Sequence, residues 1–250
     1  MEPQNETPQT NNPETVSKKP TLSLPAAVLT GFALIALAIL LTVPGLKKAA
    51  EAPAPAAGTP SEMPTSIPAE LAKIQADDHV QGDRNAAVIV IEYSDTDCPF
   101  CAKFHPTLKS VVADYQGKVA WVYRHFPLDM HPNAYTEAIA LECAAKLGGN
   151  GAFWGYLDEV VDITLEPDPA SNNKLTAIAT DMGINAEAFK RCFGSPDVIA
   201  SVDANIAEAG QIGARGTPFS IAVNQKTGKQ VIIPGAYPLE EVKKMIDSIL

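Results

Sequence analysis

Two cysteines three positions apart are the residues of this sequence best suited to chemistry. They stand in the segment Cys98-Pro99-Phe100-Cys101, between the apolar run of residues 87–93 and a helical pattern that follows. A thiol at the N-terminus of a helix faces free backbone N–H groups and the positive end of the helix dipole, so its pKa is lowered. Pro99 suits the first helical position because a proline there leaves no hydrogen bond unmade. The pattern therefore indicates thiol–disulfide exchange at Cys98 and Cys101.

Other uses of a CxxC segment fit this sequence less well. A structural zinc needs four ligands, and only His105 is near, while Cys143 and Cys192 have no CxxC partner of their own. A CxxCH haem attachment is excluded because Ala102 follows the second cysteine. A purely structural disulfide stays open, although so small a ring removes little chain entropy. The redox interpretation is favoured.

Composition limits the classes of function. The chain has 250 residues, 46% of them hydrophobic, which is enough for one good-sized core. A formal charge of −10 and the lack of a basic run argue against nucleic acid as a partner. Four cysteines, an even number, suit a non-reducing compartment. Nothing in the sequence calls for a cofactor or a metal.

The first 75 residues differ in composition from the rest. Residues 1–20 are rich in polar residues and proline and are predicted to be a disordered tail. Residues 21–46 are apolar over a length that spans a bilayer. A cleaved signal peptide is the alternative, with Ala50-Glu51-Ala52 as its cleavage site, but the apolar run exceeds a usual signal core. We predict an uncleaved transmembrane anchor and a Pro/Ala-rich linker over 47–75.

The orientation of this anchor is not set by charge. Lys18 and Lys19 before the apolar run balance Lys47 and Lys48 after it. Thiol oxidation belongs outside the reducing cytoplasm. We therefore predict a single-pass protein of the cell membrane with a cytoplasmic N-terminus and an extracytoplasmic domain over 76–250.

The order of elements in this domain is βαβ, a helical block, then ββα. The first strand is the apolar run before the CxxC segment, and residues 118–126 form the second. Residues 133–210 are mostly helical, with breaks at Gly, Pro and Asn. Two strand patterns, over 218–223 and 230–234, and an amphipathic helix over 239–250 complete the chain.

This order resembles the thioredoxin fold, and the helical block between its halves is similar to that of the DsbA family of extracytoplasmic thiol oxidoreductases. The resemblance covers about residues 77–250 and implies an α/β thioredoxin fold with an inserted helical domain, here preceded by the single N-terminal transmembrane helix. The motifs that carry it occur in the expected order: Glu92 to Cys101, Tyr123 to Pro127, Glu142-Cys143-Ala144, Gly216-Thr217-Pro218-Phe219 and Gly235-Ala236.

The resemblance implies roles for particular residues. Cys98 is the exposed attacking cysteine and Cys101 the buried resolving one. Glu92 matches a buried acid that passes a proton to or from Cys101, whereas from the residues alone it could equally be a charge at a strand end. The Thr217–Pro218 bond is expected to be cis and to face the disulfide.

The dipeptide between the cysteines departs from the family's strongly oxidising members. Pro99-Phe100 contains no histidine to stabilise a thiolate, and Asp97 stands directly before Cys98. Both features predict a less acidic thiol and a less oxidising disulfide. Pro99 and Phe100, together with Thr217 and Pro218, are the predicted substrate-binding residues.

The two remaining cysteines lie in different predicted helices. Cys143 and Cys192 could be buried free thiols, or an inter-helix bridge in an oxidising compartment. We predict a structural disulfide that does not turn over, because neither residue has a resolving neighbour.

The function implied is a membrane-anchored, extracytoplasmic thiol:disulfide oxidoreductase that forms disulfides in exported proteins. It would act on protein thiols and be reoxidised by a quinone-linked membrane partner. Residues 49–75 are too short and too Pro-rich for a dimerisation domain, so a monomer is expected. Alternatives are a reductase or isomerase on the same site, and a non-catalytic, membrane-tethered module that binds peptides in the cis-proline groove.

Overall fold

The computed structural model of the protein describes residues 64–164 and 171–250. The predicted tail (1–20), the predicted anchor (21–46) and the predicted linker up to residue 63 lie outside the described residues. Within the two described ranges, no helix is both long enough and apolar enough to cross a membrane.

A five-stranded mixed sheet forms the centre of the domain, in the order β1-β3-β2-β4-β5. β2 (Val88–Ser94) runs parallel to β3 (Val119–His125) and antiparallel to β4 (Phe219–Asn224). Every residue of these three strands is buried, as expected of continuous apolar strands covered on both faces. The edges are β1 (His79–Gln81), which the sequence did not predict, and β5 (Gln230–Ile233).

The helices follow the order predicted from the sequence, which is confirmed. α1 joins β2 to β3 as a crossover between parallel strands. In the described part of the chain, four helices, α2 to α5, separate β3 from β4, and α6 follows β5 and packs against α1. A non-helical backbone at Gly149 divides α2 into two segments. The bounds are α1 Pro99–Asp114, α2 Ala134–Thr164, α3 Asn172–Asp181, α4 Ala186–Cys192, α5 Pro196–Gln211 and α6 Leu239–Asp247.

The two faces of the sheet carry different clusters of apolar side chains. Because side chains alternate along a strand, Val90 and Trp121 belong to the cluster shared with α1 and α2, whereas Ile91 belongs to the cluster shared with α5. Glu92 is two residues from Val90 on the same strand, so their side chains lie on the same face of the sheet. Its carboxyl group is therefore on the face that α1 covers, beneath the CxxC segment.

The end of the predicted linker is part of the folded domain, which corrects that boundary. Ile67 is buried, and its backbone exchanges two 2.9 Å hydrogen bonds with the side chain of Gln230. The carbonyl of Leu71 accepts a 3.0 Å hydrogen bond from the buried Arg124, which also pairs with Asp78 at 2.9 Å. A Pro-rich stretch has no helix or strand period, so these isolated anchors leave no periodic signal in the sequence.

Candidate active site

Cys98 occupies the N-cap position of α1, with Pro99 next to it at the start of the helix. The pKa of this thiol is lowered to about 5. The hydrogen bond from the Cys101 thiol is the largest cause, opposed by burial and reinforced by Thr217 and by the backbone N–H groups of Cys101 and Phe100. These donors converge on the sulfur because a helix N-terminus leaves its first N–H groups without partners inside the helix.

Cys101 lies one turn into α1 and is buried, and Cys98, which was expected to be exposed, is buried as well, with 3% exposure for each. Burial, the hydrogen bond to Cys98 and the charge of Glu92 raise its pKa well above the usual thiol value. The pair therefore holds one proton between two sulfurs, with the thiolate on Cys98 and the thiol on Cys101. In this arrangement only the outer sulfur is a ready nucleophile.

The cis-proline loop lies against the first cysteine, and the Thr217–Pro218 bond is cis in the structure. In its thiol form, Cys98 donates to the carbonyl oxygen of Thr217, with 3.6 Å between sulfur and oxygen. The buried Thr217 hydroxyl has no hydrogen-bond partner among the described residues, and Thr217 lowers the pKa of Cys98. Pro99 is exposed and Phe100 is 61% exposed, so the rest of the described domain covers neither of these predicted substrate-binding side chains.

The dipeptide between the cysteines contains no histidine, but the loop after β3 carries His131. His131 Nδ1 lies 2.6 Å from Asp95 Oδ2. Burial opposes the charged imidazole, but the hydrogen bond and the negative charges of Asp95 and Cys98 outweigh burial and raise the His131 pKa. The Asp97 carboxylate accepts the backbone N–H of Asn133 at 2.9 Å. The Cys98 thiol is far more acidic than an ordinary cysteine, chiefly through Cys101, Thr217 and the helix N-terminus, so the weaker acid predicted from the sequence is corrected.

Asp95 fixes this histidine loop beside the site. Its carboxylate is buried and accepts 2.9 Å hydrogen bonds from the backbone N–H groups of Asp97 and Leu128, in addition to the contact with His131. Burial raises the Asp95 pKa, and these donors oppose that rise. Sequence reasoning did not identify either residue, since Asp95 and His131 are brought together only by the parallel pairing of β2 and β3.

We expect His131→Ala to raise the pKa of Cys98, because the variant removes a cation and leaves the Asp95 carboxylate behind. Thiolate absorbance at 240 nm, titrated in the reduced protein, measures this pKa. The shift should slow alkylation at pH 5 by less than about tenfold, since water screens a partly exposed charge. His105→Ala is the matched control, because His105 pairs with Asp158 at 2.6 Å on the flank of α1. An equal shift in both variants would contradict the assignment.

Glu92 lies beneath the cysteine pair in an environment without solvent. Its two oxygens accept hydrogen bonds from the Ser94 hydroxyl at 2.8 Å and from Trp121 Nε1 at 3.0 Å. Burial raises its pKa from 4.5 to about 7, against the effect of both donors. Ser94 lowers the pKa of the Cys101 thiol as well as that of Glu92. The hydroxyl of Ser94, to which the sequence gave no role, therefore acts on both the carboxyl group and the inner sulfur.

Glu92→Gln is expected to stabilise the folded protein at neutral and alkaline pH. A folded pKa raised from 4.5 to about 7 means that wild-type stability falls as pH rises through that window, by about 3 kcal/mol. The free energy of unfolding of Glu92→Gln does not fall in this way. The variant should therefore match the wild type in stability near pH 4 and exceed it by the full amount near pH 8. Urea unfolding across that range measures the difference. Glu187→Gln, at an exposed site on α4, is the control, and a pH-independent advantage of Glu92→Gln would contradict the prediction.

The second pair of cysteines is separate from this site. Cys143 in α2 and Cys192 in α4 form a disulfide with an S–S distance of 2.10 Å and 5.7 Å between Cα atoms. Both are buried in the core of the helical block. The bond fastens α4 to α2, whereas Cys98 and Cys101 are both free thiols.

The site combines an acidic thiol at a helix N-terminus, a shielded thiol one turn away and a cis-proline beside them. This combination, on this fold, defines a thiol–disulfide oxidoreductase. A family model described as Thioredoxin matches residues 75–248. The chain belongs to that thioredoxin family, in its DsbA-like form.

Solved structures agree with this assignment. Pseudomonas aeruginosa DsbA2 superposes with a TM-score of 0.61 at 26% identity, over 70% of this chain and 96% of that one. Wolbachia pipientis alpha-DsbA1 gives a TM-score of 0.63 over 72% and 94% of the two chains, and its 21% identity shows the fold alone.

Curated relatives are similar over part of the chain. The Na(+)/H(+) antiporter NhaA 3 of Salinispora tropica is 33% identical over 142 residues, which is 56% of this chain and 21% of the antiporter. The chain thus spans about a fifth of the length of the curated relatives it matches first.

Proposed function

We propose that the protein is a membrane-anchored, extracytoplasmic oxidase that transfers its Cys98–Cys101 disulfide to thiols of exported proteins. The observation that carries the proposal is the asymmetry of the two sulfurs, with a Cys98 pKa of about 5 and a Cys101 pKa well above the usual value. A thiolate that is stable near neutral pH favours the reduced form of the enzyme, so the oxidised form is a strong acceptor of electrons from substrate thiols.

The reaction begins when a substrate thiolate attacks Sγ of Cys98 in the oxidised enzyme. The Cys98–Cys101 bond breaks, a mixed disulfide forms, and Cys101 leaves as a thiolate. A buried thiolate is costly, and it takes up a proton that Glu92 supplies through the Ser94 hydroxyl. A second substrate thiolate then attacks the substrate sulfur of the mixed disulfide. The substrate leaves with a new disulfide, two electrons remain on the enzyme, and Cys98 departs as its stabilised thiolate.

Two exposed apolar side chains near Cys98 suit an unfolded protein substrate. Phe100 belongs to the CxxC segment and is 61% exposed, and Met130, which is 78% exposed, belongs to the loop that Asp95 holds beside the site. An extended substrate between this loop and Thr217 would cover apolar surface on one side. The position of the cis-proline loop next to the sulfur supports backbone pairing on the other side.

Placement outside the cytoplasm is supported by the Cys143–Cys192 disulfide, since such bridges persist in oxidising compartments. The apolar run over 21–46 supplies the anchor, and reoxidation is assigned to a quinone-linked membrane partner. Ion transport, which the names of the antiporter relatives state for those proteins, is not carried over, because the site described here is a thiol pair.

The direction of electron flow is tested by the reduction potential of the Cys98–Cys101 pair in glutathione buffers. We expect a value less negative than about −200 mV, and fast oxidation of a dithiol peptide by the oxidised full chain. Cys98→Ser is the control and should neither oxidise the dithiol peptide nor reduce insulin. A potential near about −270 mV with efficient insulin reduction would identify a reductase instead. Equal activity of the wild type and Cys98→Ser would favour a peptide-binding module.

The anchor and its orientation are tested in cells that express the full chain. The protein should stay in membranes after carbonate extraction, and a variant lacking residues 21–46 should not. A membrane-impermeant maleimide should label Cys98 in intact spheroplasts after reduction. A mature N-terminus immediately after Ala52 would show cleavage and overturn the anchor, and labelling only after lysis would overturn the orientation.

A further inference from the structure

Two histidines and one glutamate converge near the edge of the sheet, in a cluster that does not include the cysteines. His79 is on β1, His125 ends β3, and Glu142 is on α2. Both imidazole Nε2 atoms lie 2.9 Å from the same oxygen, Oε1 of Glu142. All three potential ligand atoms are within 4.8 Å of one another. The thiol mechanism uses none of these residues.

The imidazole rings are held in place by aromatic contacts. The ring of His79 stacks on Phe153 with 3.7 Å between centroids and 11° between planes. The ring of His125 meets Tyr123 edge to face at 5.3 Å. Two histidines on neighbouring strands of one sheet, with fixed rings and nitrogens aimed at one carboxylate, need little rearrangement to share a single ligand.

The donor set and its spacing match a divalent transition metal. Two imidazole nitrogens and a carboxylate oxygen leave one of four tetrahedral positions open, as in zinc sites with three protein ligands. Tetrahedral ligands about 2.0–2.2 Å from an ion are about 3.3–3.6 Å from one another, so the two 2.9 Å N–O separations need to widen by only about half an ångström to admit an ion. The side chains of His79 and Glu142 are 14% and 11% exposed, so water can reach the fourth position.

A hydrogen-bonded triad is the competing explanation. Each Nε2–H would then donate to Oε1, and the negative charge of Glu142 would serve only to join the strands to α2. Among the described residues no donor contacts the other carboxylate oxygen, Oε2. That oxygen is thus available to an ion as well as to water, which reaches the partly exposed carboxylate.

We propose that His79, His125 and Glu142 form a binding site for one Zn²⁺-like divalent ion, with water as the fourth ligand. A bound ion would connect β1 and β3 to α2, which carries half of the structural disulfide. The ion would stabilise the domain by mass action, because the unfolded chain does not assemble the site.

Metal binding by the full chain, without an affinity tag, tests this site. The cysteine pair can itself bind zinc, so the measurement uses a Cys98→Ser/Cys101→Ser background. Titration with Zn²⁺ alone by calorimetry, and with Co²⁺ alone by visible absorption, should give one ion per chain and a rise in melting temperature. His79→Ala and Glu142→Gln should each weaken Zn²⁺ binding more than about tenfold. Mutation of residues that only orient a metal ligand already lowers metal affinity by at least about tenfold. His105→Ala, which removes a histidine that pairs with Asp158 and not with Glu142, should leave binding unchanged.

A spectroscopic measurement on the same background protein does not depend on the folding of these variants. Zn²⁺ should shift the imidazole NMR signals of His79 and His125 and leave those of His105 and His131 in place. Failure to bind one Zn²⁺ at up to about 100 µM, binding that persists in both ligand variants, or signals that shift only at His105 or His131 would overturn the proposal.

Discussion

In the reduced protein, iodoacetamide should modify Cys98 at least on the order of 100-fold faster than Cys101 at pH 7. Only the thiolate reacts, and a pKa of about 5 leaves Cys98 almost fully ionised at that pH. Burial and the neighbouring charge of Glu92 hold Cys101 in its thiol form, with less than about 1% ionised. Mass spectrometry of peptides after a short reaction measures the two rates.

The pH profile provides an internal check of this expectation. Alkylation of Cys98 should be nearly constant from pH 6 to pH 9 and should fall below about pH 5, where the thiolate is protonated. The same thiol in the urea-unfolded chain should instead react increasingly faster up to about pH 9. Modification of Cys101 before Cys98 would reverse the assigned roles.

The same asymmetry predicts the behaviour of a variant that lacks the inner sulfur. Cys101→Ser should accumulate mixed disulfides between Cys98 and substrate proteins, visible on a non-reducing gel. The reason is that Cys101 normally attacks a long-lived mixed disulfide at Cys98 and releases the substrate. Cys98→Ser should form none. Comparable adducts in both variants would show that Cys98 is not the attacking residue.

Loss of the Cys143–Cys192 bridge should lower the free energy of unfolding by about 4 kcal/mol. The two residues are 49 positions apart, and opening a loop of that length restores this much chain entropy to the unfolded state. Urea unfolding of Cys143→Ala/Cys192→Ala, measured against the wild type, gives the difference. The exchange activity of the folded variant should be unchanged, since the bridge lies in the helical block.

The single variants distinguish a bridge from two buried thiols. If the sulfurs are bonded, either Cys143→Ala or Cys192→Ala opens the same loop, so the double variant should lose little more than each single one. Two independent thiols would instead give losses that add. A loss below about 1 kcal/mol in the double variant would contradict a stabilising role for the bridge.

The sequence by itself was sufficient to predict the chemistry at Cys98 and Cys101 and the order of the helices and of every strand but β1. These features are local: a CxxC segment, a proline at a helix start and an apolar strand can be recognised within a few residues of one another. Glu92 stood out as a charge in an apolar run, but only the family resemblance favoured a buried acid over a strand-end charge, and the structure shows it buried. The cis-proline loop followed from the family resemblance, as no local physical rule requires that bond to be cis.

Only the tertiary structure decided which distant side chains surround these elements. His131 approaches Cys98 because the buried Asp95 binds the loop after β3, and the sequence predicted a weaker acid because that histidine is absent from the dipeptide. His79, His125 and Glu142 come from three elements, and β1 was too short to be predicted. Such contacts depend on strand register and on where a helix crosses the sheet. Those are set by packing over the whole core, which is why no short pattern in the sequence contains them.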